Sequence, residues 1–161
     1  MVLACLGIFT FWFSPLLYAQ QTPADYKLLY EQDFEEGSSL KDFMITDAGA
    51  WRISEGKEGQ ALELYGKSQY KPAVRSPLNI ALIKEKKFGS FILEAELQQT
   101  GKEYGHRDLC LFFGAKDSSN FYYVHMASRA DPNAHNIFLV NDAPRKNIAT
   151  NTTEGINWGS Y

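Results

Sequence analysis

The residues able to do chemistry gather in three places. They are Tyr104-Gly105-His106-Arg107-Asp108, Phe121-Tyr122-Tyr123-Val124-His125 and His135-Asn136. All three histidines of the chain belong to these runs. A strand repeats every two residues, so side chains sort by face. His106, Asp108, Cys110 and Phe112 then point one way, and Arg107, Leu109, Leu111 and Phe113 the other. On the following strand Phe121, Tyr123 and His125 share a face, opposite Tyr122, Val124 and Met126. The leucine-rich face reads as the core, which sets Asp108, Tyr123 and His125 on the other surface of the sheet. A concave strip of that composition suits a sugar. Aromatic rings stack on C–H faces, while acids, amides, guanidinium and imidazole bond the hydroxyls. The candidate carbohydrate-binding residues are Tyr104, His106, Arg107, Asp108, Tyr123, His125, His135 and Asn136. The aromatics are expected to stack, and Asp108, Arg107 and Asn136 to bond hydroxyls. The histidines would bond hydroxyls or, in an enzyme, move protons. The alternative for each is structural: strand aromatics pack against cross-strand partners, and half-buried histidines bond backbone carbonyls.

Other chemistries find less support. Glycoside hydrolysis needs two carboxylates flanking the bond, about 5.5 Å apart or about 6.5–9.5 Å apart. Glu94 and Glu96 share one strand face, and their spacing is similar to the E-x-D-x-x-E strand motif of laminarinase-type glycosidases. Here the middle acid is Glu96 rather than Asp, and the last acid position is Gln99. With no intact pair, the alternation reads as a solvated strand face, and no catalytic residue is assigned. No HxH or HxxxH pair exists to hold zinc, so no metal site is assigned. Asp117-Ser118-Ser119-Asn120 and Asp131-Pro132-Asn133 could lend oxygens to calcium. Their ligand density is below that of a dedicated loop, and they read as turns. Asn151-Thr152-Thr153 matches a glycosylation acceptor, which carries meaning only in a eukaryotic secretory host.

The elements that must position these residues read as strands. The expected set is Tyr26–Phe34, Trp51–Ser54, Gln60–Tyr65, Val74–Ile83, the alternating run around Phe91, Leu93, Ala95 and Leu97, Arg107–Ala115, Phe121–Ala127 and Asn136–Asn141. Lys116–Asn120 has hairpin-turn composition. No sustained helical period follows residue 20. Many short strands at near-regular spacing predict an all-β fold, a two-sheet antiparallel β-sandwich.

Met1–Ala19 carries no charged side chain and is mostly apolar, with Ser14-Pro15 before Leu17-Tyr18-Ala19. This reads as a signal peptide over 1–19, cleaved after the small Ala19. A membrane anchor is the alternative, since about 19 residues just suffice to span. Cleavage would take Cys5 away and leave Cys110 with no internal disulfide partner. Cys110 lies in the apolar run Leu109–Phe113 and reads as a buried structural thiol. Export across a membrane is therefore expected, to the periplasm, the cell surface or beyond. The chain has 161 residues, net charge -3 and 45% hydrophobic residues. An apolar fraction of this size argues against disorder. Mild acidity argues against a nucleic-acid partner, which needs a basic face.

Three runs carry a resemblance: Phe88–Leu97, Leu111–Asp117 and Asn120–His125. They resemble the concanavalin A-like (laminin G-like) jelly-roll superfamily. Within it the chain is similar to exported bacterial domains grouped as 3-keto-disaccharide hydrolases or family-16-like glucanases. The run His135–Asp142 and then Thr153–Trp158 continues the resemblance, which covers roughly residues 27 to 158. It implies a jelly roll over 20–161 and further strands beyond Trp158, and hence a fragment of a longer protein with other domains. For function the resemblance is unspecific; carbohydrate is the partner expected from the residues of the concave face, and no cofactor is expected. The rival readings are a glycan-degrading enzyme, hydrolase or polysaccharide lyase, using the same His/Asp face, and a structural or adhesion module. The superfamily hosts all three.

Overall fold

The computed structural model describes residues 25–101, 104–149 and 154–158. The expected signal segment 1–19 and the Asn151–Thr153 acceptor lie outside the described residues. The chain divides into a short unit, Met1–Tyr30, and a main unit, Glu31–Tyr161. The described part of the first, residues 25–30, is a turn and irregular chain. No helix among the described residues is long and apolar enough to cross a membrane.

The main unit is all-β and antiparallel. Its described strands are β1 (Phe43–Ile45), β2 (Trp51–Glu55), β3 (Gln60–Leu64), β4 (Ala81–Ile83), β5 (Leu109–Asp117), β6 (Asn120–Met126), β7 (Asn136–Asn141) and β8 (Lys146–Asn147). Two single 3-10 turns, Ser39–Asp42 and Ala48–Ala50, are its helical content among the described residues. The strands form the pairs β1–β4 and β2–β3 and the four-stranded sheet β5-β6-β7-β8.

The β5–β6 hairpin has a chemical cause at its turn. Asp117 Oδ1 accepts the Ser119 backbone N–H at 2.8 Å and the Asn120 side-chain amide at 2.9 Å, so the acid closes the turn on itself. Between Phe113 and Asp117 the register slips. Gly114 sits there at φ +58°, and a Cβ on it would come within 3.1 Å of the Tyr122 ring. A side chain would be both strained and crowded at that bulge.

The core lies on one face of this sheet. Register places Phe112 opposite Tyr123 and Tyr123 opposite Phe138, with Phe121 opposite Val140 one step along. The Tyr123 and Phe138 rings stack at 5.2 Å, and Phe112 stacks on Tyr123 at 5.7 Å. Each such pair adds about 0.5–1.5 kcal/mol beyond area burial. Ile80, Val74 and Leu82, from β4 and the chain before it, pack on this ladder as a second, sandwich-like layer. Thr46 anchors that layer: its Oγ1 donates to the Leu78 carbonyl and accepts the Ile80 N–H, both at 2.9 Å.

This packing reverses the face expected to be the core. Tyr123 is 0% exposed and His125 4%, whereas Leu109, Leu111 and Phe113 are only half-buried and Tyr122 is exposed. Both faces of the hairpin are apolar enough to pack. The β4 layer covers the Phe121/Tyr123 side, and strand alternation cannot say which side a distant segment will choose.

Two expected strands do not form, and a third is shortened. Residues 26–34 pair with nothing regular; Phe34 turns left-handed at φ 64°, and its N–H bonds the Gln32 side chain instead of a ladder partner. Only Ala81–Ile83 of the run from Val74 is strand, because Pro77 interrupts the earlier part. Residues 91–97 alternate in sequence but form no described strand. Phe91, Ile92, Leu93 and Leu97 are all exposed, so neither face is buried. A strand exists only with a hydrogen-bonded neighbour, which alternation alone does not supply.

Candidate functional site

Arg107 and Asp108 come just before β5 begins. Arg107 is left-handed, at φ 45°. For a residue with a large side chain this is a costly conformation of the kind found at functional sites. It breaks the simple alternation at the strand entrance. Asp108 keeps the face of Cys110, two residues on, and Cys110 is opposite His125. Asp108 Oδ2 therefore reaches His125 Nε2 along the diagonal. On its other side Asp108 Oδ1 accepts the Tyr104 hydroxyl, and the Asp108 backbone N–H donates back to Tyr104 Oη at 2.9 Å.

The imidazole beside it, helped by the Tyr104 hydroxyl, holds the Asp108 carboxyl down at about 2 against partial burial. Asp108 is thus an ionised acceptor, and His125 Nε2 carries the proton between them. His125 Nδ1 is buried and has no hydrogen-bond partner among the described residues. Burial, followed by the bond to Asp108, pushes the Tyr104 hydroxyl up. Burial, with the Asp108 charge behind it, raises the neighbouring Cys110 thiol to about 12. Cys110 stays a thiol rather than a nucleophile.

Asp108, Cys110 and His125, together with Arg75, Ser76, Pro77 and Arg145, line a cavity of about 270 Å³. The two arginine loops are joined directly: the Arg145 backbone N–H donates to the Arg75 carbonyl at 2.9 Å. The Arg145 guanidinium is held in a fixed plane. Nη1 donates to the Tyr123 hydroxyl at 3.2 Å, Nη2 donates to the Asn133 carbonyl at 3.0 Å, and the group lies 4.9 Å over the Phe138 ring.

The eight residues singled out from sequence divide sharply. Asp108 and His125 meet and line the cavity, and Tyr104, mostly exposed, braces Asp108 from its outer side. Tyr123 lies inside the ring ladder, so no face of it is open for a sugar to stack on. The other four hold loops. His106 Nε2 pairs with Asp131 Oδ2 at 2.8 Å, and its carbonyl accepts both the N–H and the hydroxyl of Ser128. Arg107 is buried, with Nη2 donating to the Gln99 carbonyl at 3.1 Å. His135, left-handed at φ 57°, accepts the Ala127 N–H at Nδ1. Asn136 is buried opposite His125, and its amide donates to the carbonyls of Asp131 and Ala134 at 2.9 and 3.0 Å.

The two turns considered for calcium use their oxygens internally. Asp117 closes the hairpin, and Asp131 accepts the Asn133 N–H at 2.7 Å besides pairing with His106. That backbone bond first, and His106 second, lower the Asp131 carboxyl. Among the described residues no cluster of three or more metal-ligating side chains occurs.

Sequence reasoning passed over Arg75, Ser76 and Arg145. Each lies within two residues of a proline, in Arg75-Ser76-Pro77 and Pro144-Arg145. That is the signal of a rigid loop carrying a cation, but nothing local links position 75 to position 145. No protein-family model, curated protein or solved structure matches this chain, so the reading of the site rests on its own geometry.

Proposed function

We propose that this chain is an exported β-sandwich domain of concanavalin A-like type that binds a carbohydrate. The observation that supports this best is the cavity at the end of β5 and β6. There an ionised acceptor, Asp108, shares the lining with Arg75 and Arg145, whose guanidinium groups are donors. A polyhydroxylated ligand needs acceptors and donors in one small concave site, and these supply both. Recognition on this reading runs through polar groups, with Tyr104 the exposed aromatic nearest them. Titration calorimetry against a glycan panel tests it. Wild type should bind at least one oligosaccharide, and Asp108→Asn, confirmed folded by circular dichroism, should bind it about tenfold more weakly, since bonds to a charged acceptor are worth about 1.5–3 kcal/mol. Unchanged affinity in the folded variant, or no binding by wild type, rejects the proposal.

One observation favours a second reading, a glycan-degrading enzyme. Tyr104, Asp108 and His125 form a continuous hydrogen-bonded chain, an arrangement that orients an imidazole for acid–base work. Release of reducing ends from a polysaccharide, abolished in His125→Gln, would select this reading over simple binding. His106, which pairs with Asp131, is the less informative residue to change.

A further inference from the structure

The balance of charge in the cavity carries the reading one step further. Of its lining residues, Arg75 and Arg145 are cations at any physiological pH. Neither takes part in the ion pairs described, among them Arg52–Glu63, His106–Asp131 and His125–Asp108. The one acid on the cavity wall, Asp108, can balance only one of these two cations. The wall therefore keeps an excess of positive charge in a confined space.

Arg145 is also prepared for a planar ligand. Two of its N–H groups are committed to Tyr123 and Asn133, and its face rests on Phe138, so the fork is set before anything binds. A guanidinium held in a fixed plane presents its remaining N–H groups to an anion with little ordering cost, and a carboxylate is the matching acceptor. Arg75 is brought to the same cavity by the backbone bond between the two loops and is itself exposed and adjustable. Asp108, on the same cavity, accepts hydrogen bonds, which a carboxylate cannot offer but a hydroxyl can. A ligand satisfying both kinds of group carries a carboxylate and hydroxyls. The cavity volume, about 270 Å³, is at the small end for ligand sites, the scale of one ring rather than a long chain segment.

We infer that the cavity recognises a uronic acid residue, with Arg75 and Arg145 on its carboxylate and Asp108 on its hydroxyls. The inference rests on the carbohydrate reading above and names the sugar class.

The full chain is titrated with trisaccharides of galacturonate, glucuronate and mannuronate, with their methyl esters, and with neutral trisaccharides of the same linkages. Esterification keeps the shape and removes the charge. At least one acid should bind about tenfold or more tighter than its ester, and its affinity should fall as salt rises from about 0.05 to about 0.5 M. Arg75→Gln changes an exposed side chain, and should remove most of the acid-over-ester preference while leaving the melting temperature in place. Equal binding of acid and ester overturns the uronate inference and leaves the carbohydrate reading standing. Binding of neutral sugars alone does the same. No binding of any sugar, acidic or neutral, overturns both. Retention of the full acid preference in Arg75→Gln overturns the assignment of Arg75.

Discussion

Asp108 and His125 are diagonal neighbours across the first two strands of the main sheet, joined between Oδ2 and Nε2. Through this contact a residue just outside β5 is fastened to the buried end of β6. His125 is 4% exposed, while Asp108 reaches the cavity wall and the Tyr104 hydroxyl. The pair thus links the packed core to the candidate site, and its charge state matters to both.

Stability should depend on acid through this pair. The folded Asp108 carboxyl lies at about 2, below its ordinary 3.8, with His125 as the largest cause. A depressed carboxyl stabilises the fold above its unfolded pKa and loses that contribution as pH falls toward the folded value. The window is therefore about pH 4 down to about pH 2, and the contribution is roughly 2 kcal/mol. Urea unfolding of wild type and Asp108→Asn checks it. The stability gap between them should be full at pH 5 and mostly gone at pH 2.5. A gap independent of pH would show that the charge is not responsible.

Tyr123 separates packing from hydrogen bonding. Tyr123→Phe keeps the ring ladder and removes the oxygen that accepts from Arg145, so it should cost only about 1 kcal/mol. Tyr123→Ala opens a cavity between Phe112 and Phe138 and should cost about 3–5 kcal/mol. The Phe variant should also loosen Arg145, which a weaker affinity for the bound sugar would register.

At the β5 bulge, Gly114→Ala meets two penalties together. The backbone is left-handed, and the new Cβ contacts Tyr122 at 3.1 Å. The expected loss is about 1–3 kcal/mol in chemical unfolding. A neutral result would mean that the bulge can shift along the strand.

Cys110 should be inert in the folded protein. Burial holds its thiol at about 12, so little thiolate exists near neutral pH. Iodoacetamide labelling followed by peptide mapping distinguishes it from Cys5. Cys110 should remain unlabelled at pH 8 in buffer and react fully in urea. Rapid labelling without denaturant would contradict the packing described here.

How much of this could be read from the chain depends on the range of the interaction. The hairpin from β5 to β6 and the strand Asn136–Asn141 were legible, because alternation and the Asp117–Asn120 turn act over a few residues. The shared face of Asp108 and His125 was legible for the same reason, since two strands joined by a short turn have a narrow choice of register. The segment around Phe91 carried an equally clear alternation, yet forms no described strand, because pairing depends on a neighbour that its own residues do not specify.

By itself, then, the amino-acid sequence determined the β class, the strand pairs closed by short turns, and the meeting of one acid with one imidazole. The tertiary structure alone decided which sheet face became the core. It also turned Tyr123 from a candidate platform into packing and brought Arg75 and Arg145 to the same cavity. Either face of β6 could have been covered. The outcome followed from where Ile80 and Leu82 settled, about forty residues away along the chain, and from one backbone bond between two proline-flanked loops. Such long-range choices rest on the summed burial of both layers, which no local pattern encodes.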